Sequence, residues 1–181
     1  QARIGLKWLM NGTGPLGIGI NQGGLFTRIL PGSQTPDIQF HFSTLSADMA
    51  GGKPHDWPGC TFSVCQLRPE SRGALEIRSN NAADAPSIKP NFLERETDVA
   101  TMLAGVKLIR KLAATPALSR WINTEHDPGP VCATDDQLID FIRAKGITVY
   151  QPVGTCKMGS DGEAVVDPEL KVHGVAGLRV I

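Results

Sequence analysis

The spacing of the apolar residues changes near Thr97, and this change limits what the two parts of the chain can form. Residues 36–42 alternate between apolar and polar, with Gln39 and His41 on the polar side. After the change, apolar residues recur at helical spacing: Val99, Met102, Leu103, Val106, Ile109 and Ala113. A capping box at Thr134–Gln137 predicts a second helix. The sequence therefore predicts strands upstream and helices downstream.

Two further strands are expected between the alternating segment and the first helix. They cover residues 60–67 and 74–78, and each carries apolar residues at alternate positions. The turn at residues 69–73 lies between them, which predicts an antiparallel hairpin. Leu75 and Ile77 are predicted to face inward.

The residues from Gly12 to Gly17 spell G-x-G-x-x-G, the pattern of dinucleotide-binding turns. That motif must follow a strand, open a helix and offer backbone amides to a pyrophosphate. Pro15 has no backbone N–H, and Gly19 and Gly23 argue against a following helix. We therefore interpret the segment as a glycine-rich loop rather than as a phosphate site.

The segment Thr148–Gly159 turns a short β-branched and aromatic run into a proline and glycine turn. Proline fixes its own φ angle, and glycine adopts backbone angles that other residues avoid. Such a turn at the end of a strand directs one polar side chain into a cavity. The residue before the proline is Gln151, which is therefore a candidate functional residue.

The composition argues against several kinds of partner. The formal net charge of +0 gives no support for nucleic acid or an acidic membrane surface, and no apolar run is long enough to predict a transmembrane segment. The four cysteines and four histidines are scattered without the spacing of a zinc site or a redox pair. We predict no metal, and reduced, mostly buried thiols in a cytosolic protein. The chain lacks an initial Met and residues 177–181 read as an interrupted strand, so a fragment of a longer protein is expected.

Several separated segments, in matching order, resemble the glucose–methanol–choline (GMC) oxidoreductases, flavoenzymes that oxidise alcohols. The resemblance to choline dehydrogenase-like members is the strongest. The segments lie around His41 and at Arg68–Gly73, Thr148–Gly159 and Val166–Ile181. The resemblance implies an α+β fold, with a mainly antiparallel β-sheet flanked by helices that roofs the substrate pocket.

The same resemblance implies that a longer protein contains two domains with different functions. Residues 1–160 would form the substrate-binding domain, and residues 161–181 would return to an FAD-binding domain largely absent from this chain. FAD would accept a hydride from the alcohol carbon at flavin N5 while a histidine accepts the hydroxyl proton. His41, Tyr150 and Val153 would contact the alcohol. The partners implied are a small-molecule alcohol and the FAD-binding domain. The fragment alone is expected to hold no FAD and to be inactive. The expected location is cytoplasmic, with peripheral attachment at the inner membrane face as an alternative.

Gln151 departs from the family pattern, which has the catalytic histidine at this position. An amide cannot accept a proton at neutral pH, although it donates and accepts hydrogen bonds. Three explanations are open: an engineered change, a natural member with altered or lost activity, or proton transfer by another group such as His41 or a residue beyond Ile181. A flavin-containing relative without redox activity, similar to the hydroxynitrile lyases, and a free-standing binding module are the alternative functions.

Overall fold

The structure is a computed structural model that describes residues 2–48 and 52–181. Its helices are α1 (Ala2–Asn11), α2 (Glu96–Ala113), α3 (Pro116–Ser119) and α4 (Asp135–Lys145). Its strands are β1 (Asn21–Thr27), β2 (Ile38–Ser43), β3 (Thr61–Gln66), β4 (Ala74–Glu76) and β5 (Ser87–Lys89). All strand pairs are antiparallel, so the predicted α+β fold with antiparallel sheets is confirmed. None of the helices in the described ranges is both long and apolar enough to cross a bilayer.

The chain divides into two compact units. The first contains Gln1–Ser71 and Leu93–Lys145, and the second contains Arg72–Phe92 and Gly146–Ile181. The first unit holds the larger sheet and all four helices, whereas the second holds β4, β5 and the C-terminal segment. The expected boundary at residue 160 concerns a longer protein and stays a prediction.

The sheet of the first unit has the order β1-β2-β3, and its apolar face is covered by α2. Ile38 and Phe40 are 0% and 4% exposed, as the alternation in β2 predicts. Gly105 allows α2 to lie close to this face, because a Cβ there would be 2.5 Å from Ile38 Cδ1 and 2.6 Å from Val64 Cγ1. The helix α4 packs against α2 in turn and buries Leu138.

The capping box that begins α4 forms as the sequence predicts. The backbone N–H of Gln137 donates to Thr134 Oγ1 over 3.3 Å, and Gln137 Oε1 accepts from the backbone N–H of Thr134 over 3.0 Å. These reciprocal bonds satisfy two groups that a helix leaves unpaired at its N-terminus. The local sequence therefore determined where α4 begins.

Asp98 is a buried carboxylate in the first turn of α2 that holds the end of β3 to that helix. Its side chain accepts from Gln66 Nε2 over 2.7 Å and from the backbone N–H groups of Glu70 and Ser71, each over 2.8 Å. Burial by itself would raise the pKa of Asp98. The hydrogen bonds from Glu70, Ser71 and Gln66 outweigh burial, and the pKa is lowered below its usual value.

Asp37 performs a similar task in the connection between β1 and β2. Its carboxylate accepts from the backbone N–H of Ile29 over 2.7 Å, from that of Leu30 over 3.1 Å, and from the hydroxyl of Ser33. Burial opposes the charged form, but these hydrogen bonds lower the pKa of Asp37. The loop before β2 therefore has a charged, hydrogen-bonded centre.

The predicted hairpin of residues 60–67 and 74–78 is wrong. The strand β3 pairs with β2, whereas β4 pairs with β5 in a separate sheet. The cause is Asp98, which takes the backbone amides just after β3 and holds them against α2. Leu75 and Ile77, which we predicted to face inward, are 53% and 89% exposed.

The strand β1 was not predicted, because Gly23 and Gly24 are poor strand formers. The backbone nevertheless pairs with β2, and the two glycines lie opposite Phe42 and His41. Long-range hydrogen bonding to a neighbouring strand outweighs local preference here. Sequence patterns that consider only nearby residues do not detect such pairing.

The C-terminal segment of the second unit is held by isolated bridges instead of the expected strand. Val166 is 1% exposed and bridges both Met158 and Val172. Arg179 bridges Lys171, but residues 177–181 form no strand. Single backbone pairs around Val166 therefore hold the C-terminal segment of this unit.

The four cysteines carry free thiols, but the expectation that most are buried is wrong. Cys60 and Cys156 are exposed, and Cys65 and Cys132 are half-buried. Desolvation by neighbouring atoms raises the pKa of the half-buried Cys65 thiol and also that of the Cys60 thiol.

Candidate functional site

The face of the larger sheet that points away from α2 carries His41. Because residues opposite each other on antiparallel strands share a face, the strand register defines this surface. We call it the polar sheet face, and its members are Gly24, Phe26, Gln39, His41, Ser63 and Cys65. Residues on the opposite face, including Ile38 and Val64, contact α2 instead.

His41 is half-buried between two small neighbours on the polar sheet face. Gly24 lies opposite it on β1 and has no side chain, and the exposed Ser63 lies opposite it on β3. An imidazole, a hydroxyl and the amide of Gln39 therefore share one surface. These groups can donate and accept hydrogen bonds with a small polar ligand. The role of His41 in binding substrate stays a prediction.

Tyr150, Gln151 and Val153 lie together in the second unit, in the segment 148–159, which we call the signature loop. All three side chains are exposed, and Val153 is 95% exposed. The strand that we expected before the turn is absent, since residues 147–150 pair with no strand in the described part of the chain. The turn itself forms: Gly154 has a φ of 105° and Tyr150 a φ of 60°. Left-handed backbone at a non-glycine residue is uncommon and makes the region around Gln151 a candidate for function.

The downstream end of the signature loop is fixed to the buried Val166. The backbone N–H of Gly159 donates to Val166 O over 3.0 Å, and the backbone N–H of Val165 donates to Lys157 O over 2.8 Å. The ammonium of Lys157 donates to Asp161 over 3.0 Å, and this hydrogen bond lowers the pKa of Asp161. Gln151 therefore lies on an exposed turn whose following residues are anchored.

A hollow of about 210 Å³ in the first unit contains none of the predicted site residues. It lies beside Asp37, Arg68 and Thr101. Small-molecule sites commonly have volumes of about 300–1,000 Å³, and the Asp37 carboxylate is already used by three hydrogen bonds. We therefore interpret the hollow as a feature of the fold.

Asp48, His55 and His126 come together in the first unit, and the sequence analysis missed this cluster. Their ligand atoms all lie within 4.8 Å of one another. His126 is far from the other two along the chain, so no short metal-ligand spacing exists that could have revealed the group. Only folding brings the two loops together.

Solved oxidases contain the same fold. A formate oxidase of Aspergillus oryzae RIB40 superposes with a TM-score of 0.82 over 98% of this chain and 36% of the oxidase, at 21% identity. A pyridoxine 4-oxidase from Mesorbium loti superposes with a TM-score of 0.72 over 84% of this chain and 30% of that protein, at 23% identity. The chain therefore has the fold of a part of each of these two solved proteins.

Sequence comparison identifies the family. The C-terminal domain model of the GMC oxidoreductases matches residues 69–181, and the chain belongs to the GMC oxidoreductase family. An alcohol dehydrogenase (acceptor) of Pseudomonas putida is 36% identical over 98% of this chain and 32% of its own length. An oxygen-dependent choline dehydrogenase of Cronobacter sakazakii is 38% identical over 100% of this chain and 32% of its own length. The family resemblance found in the sequence is confirmed, and the chain spans about a third of the length of these relatives.

Proposed function

We propose that this chain is the substrate-binding part of an FAD-dependent oxidoreductase that oxidises a primary alcohol, either choline-like or aliphatic. The observation that carries the proposal is the similarity to an alcohol dehydrogenase and to choline dehydrogenases along the full length of this chain. Bound FAD would supply the hydride acceptor at flavin N5, a base would accept the hydroxyl proton of the alcohol, and the product would be an aldehyde. The polar sheet face is a suitable surface for a small hydroxyl compound because it combines hydrogen-bonding groups with the apolar Phe26.

FAD enters this proposal through the relatives, since the formate oxidase of Aspergillus oryzae has been studied for modification of its FAD. The residues described here do not provide the usual site for its pyrophosphate. Gly12–Gly17 follows the helix α1 and contains a short 3-10 turn, whereas a dinucleotide site needs a strand before a long helix. We therefore assign FAD binding to another part of the full-length protein and expect the isolated chain to be inactive.

Residues 1–160 form the substrate-binding part in this proposal, and residues 161–181 return toward the FAD-binding domain. Gln151 takes the position of the family's catalytic histidine, between Tyr150 and Val153, which contact the alcohol. Its amide can orient the hydroxyl by hydrogen bonding but cannot accept the proton. His41 is the candidate for a base within this chain.

The test is to replace Gln151 with histidine in the full-length protein and to measure flavin reduction by alcohols under anaerobic single-turnover conditions. Gln151→His supplies a base, so we expect reduction to be about 10²–10⁴-fold faster. Gln34→His, which places a histidine at another exposed glutamine, is the matched control and leaves the rate unchanged. Equal rates for the Gln151→His variant and its parent would show that Gln151 does not occupy the base position.

A flavin relative without redox activity is the second candidate, because an amide stands where the family has its base. In that case alcohols would leave the flavin oxidised in the parent protein, while the protein would still bind FAD. Reduction of the flavin by alcohol in the parent excludes this candidate. Absence of FAD from the full-length protein would instead support a free-standing binding module.

A further inference from the structure

Two loops of the first unit present two imidazoles and one carboxylate to a common point. The ligand atoms of Asp48, His55 and His126 all lie within 4.8 Å of one another. We infer that these three residues bind one divalent transition cation of the zinc type. The site contains neither the signature loop nor the polar sheet face, and it does not depend on the oxidoreductase proposal.

His55 is oriented as a metal ligand usually is. Its Nδ1 lies 3.0 Å from Ser46 Oγ, and its Nε2 lies 3.0 Å from Asp48 Oδ1. If Nδ1–H donates to Ser46 Oγ, the lone pair of Nε2 faces the Asp48 carboxylate, and these two groups repel each other. A cation bound between Nε2 and the carboxylate removes this repulsion. This is the arrangement of metal-binding histidines, whose second nitrogen donates to an outer partner. In the other tautomer Nε2–H donates to Asp48, so both groups also have a hydrogen-bond partner when no cation is bound.

Neighbouring groups fix the plane of the His55 ring. Trp57 stacks on it with a centroid separation of 4.4 Å and an interplanar angle of 17°. Gly59 leaves room for this stack, because a Cβ there would lie 2.6 Å from the Trp57 ring and 2.7 Å from Ser46 Cβ. The backbone N–H of His55 also donates to Ser46 O over 2.8 Å. The first histidine is therefore preorganised by its surroundings.

The loop that carries His126 is tied to α2 through Arg110. The guanidinium donates to Cys132 O over 2.7 Å, to Gly129 O over 3.1 Å and to Glu125 Oε1 over 2.9 Å. The backbone of the second histidine is thus held in place on both sides, while its exposed side chain can move to reach a cation. The His126 ring already meets the His55 ring edge-on, with centroids 5.2 Å apart.

The donor set determines the class of cation. Zinc binds imidazole nitrogen at about 2.0–2.1 Å and carboxylate oxygen at about 2.0–2.2 Å, which places tetrahedral ligand atoms about 3.3 Å apart. The separation of 3.0 Å between His55 Nε2 and Asp48 Oδ1 is close to this value, and the ligand atom of His126 lies within 4.8 Å of the other two. Calcium and magnesium prefer oxygen ligands, whereas imidazole suits zinc, copper, nickel and iron. Three protein ligands leave one position for water.

The experiment uses the whole chain after treatment with a chelator, titrated with Zn²⁺ in competition with a chromophoric chelator. We expect one equivalent to bind. His126→Gln and Asp48→Asn each remove an exposed ligand, so the fold should survive while affinity falls by more than about 100-fold. Ser46→Ala removes the outer partner of His55, which typically weakens binding about 10–100-fold.

Matched controls separate this site from adventitious binding. His173→Gln and Asp56→Asn make the same chemical changes at exposed positions outside the cluster, and they should leave the affinity unchanged. Equal affinity of His126→Gln and the parent would overturn the proposal, as would failure of the parent to bind one equivalent. Circular dichroism of each variant verifies that it is folded.

Cobalt provides a second, spectroscopic readout. Bound Co²⁺ should quench the fluorescence of Trp57 because that ring lies beside both histidines, and Trp57→Phe should lose this quenching while it still binds the metal. A site of nitrogen and oxygen ligands gives no thiolate-to-cobalt charge-transfer band. If that band appears, a cysteine such as the exposed Cys60 is the ligand, and the assignment is wrong.

Discussion

Replacement of Asp98 by asparagine tests whether a buried carboxylate holds β3 to α2. The isosteric amide retains one acceptor oxygen, which best serves Gln66 Nε2 and the backbone N–H of Glu70. Its NH₂ group then faces Ser71, whose hydroxyl can turn to accept from the amide but whose backbone N–H loses an acceptor at 2.8 Å. Loss of one hydrogen bond to a charged group costs about 1.5–3 kcal/mol. For a chain of this size, each kcal/mol lowers the melting temperature by about 2–4 °C, so we expect a decrease of about 3–12 °C.

The assay is equilibrium denaturation followed by far-ultraviolet circular dichroism, because all the helices belong to the unit that contains Asp98. The midpoint should fall while the slope stays constant, since the folded state loses a bond without a change in the area it buries. Asp140→Asn is the matched control, because Asp140 is an exposed residue of α4 and its replacement should change stability by less than about 0.5 kcal/mol. Equal midpoints for the Asp98→Asn and Asp140→Asn variants would refute the proposed role of Asp98.

The difference between the parent and Asp98→Asn should also depend on pH. The folded pKa of Asp98 is lowered, so its stabilisation is fully present above the unfolded pKa of about 3.9 and is lost as the pH falls through the folded value. The two proteins should therefore differ most near neutral pH and converge in acid. A difference that stayed constant down to the lowest pH at which both fold would mean that the carboxylate charge is not responsible.

Two further substitutions test local features of the fold. Gly73→Ala places a Cβ against the backbone oxygen of Lys89, so we expect the pairing of β4 with β5 to be lost. Faster amide hydrogen exchange in those two strands would measure this loss. Gly162→Ala is the control, because its Cβ meets nothing within 4 Å and should leave the exchange rates unchanged. Thr134→Ala removes the acceptor for the backbone N–H of Gln137 and should lower the free energy of unfolding by about 1 kcal/mol. An unchanged denaturation midpoint would show that the capping box does not contribute to stability.

The parts of the fold that the sequence predicted correctly depend on neighbouring residues. The alternation through Ile38 and Phe40 and the helical spacing that begins near Thr97 each describe one element and the face that it buries. The capping box at Thr134 depends on residues within a single turn. Such patterns are readable because the interacting groups are close in the chain.

The candidate site was only partly accessible from the sequence. Gln151 and its neighbours were found through their resemblance to a family motif, and His41 was found as a polar residue in an alternating strand. The strand expected before Gln151 does not form, because β-structure requires a partner that local sequence does not reveal. The cluster of His55 and His126 was missed for the same reason, since its two loops meet only after the chain folds.

By itself, the sequence determined the family, the existence of the main helices and of the strands β2 and β3, and the presence of an amide at Gln151. Those properties are carried by residue identity and by contacts within a few turns. Only the tertiary structure decided that the glycine-rich β1 joins the sheet, that Asp98 directs the chain away from a hairpin, and that Asp48 meets two histidines. Each of these three features depends on hydrogen bonds or contacts between residues that are distant in the chain. The energies of those interactions depend on distances and angles that exist only in the folded state.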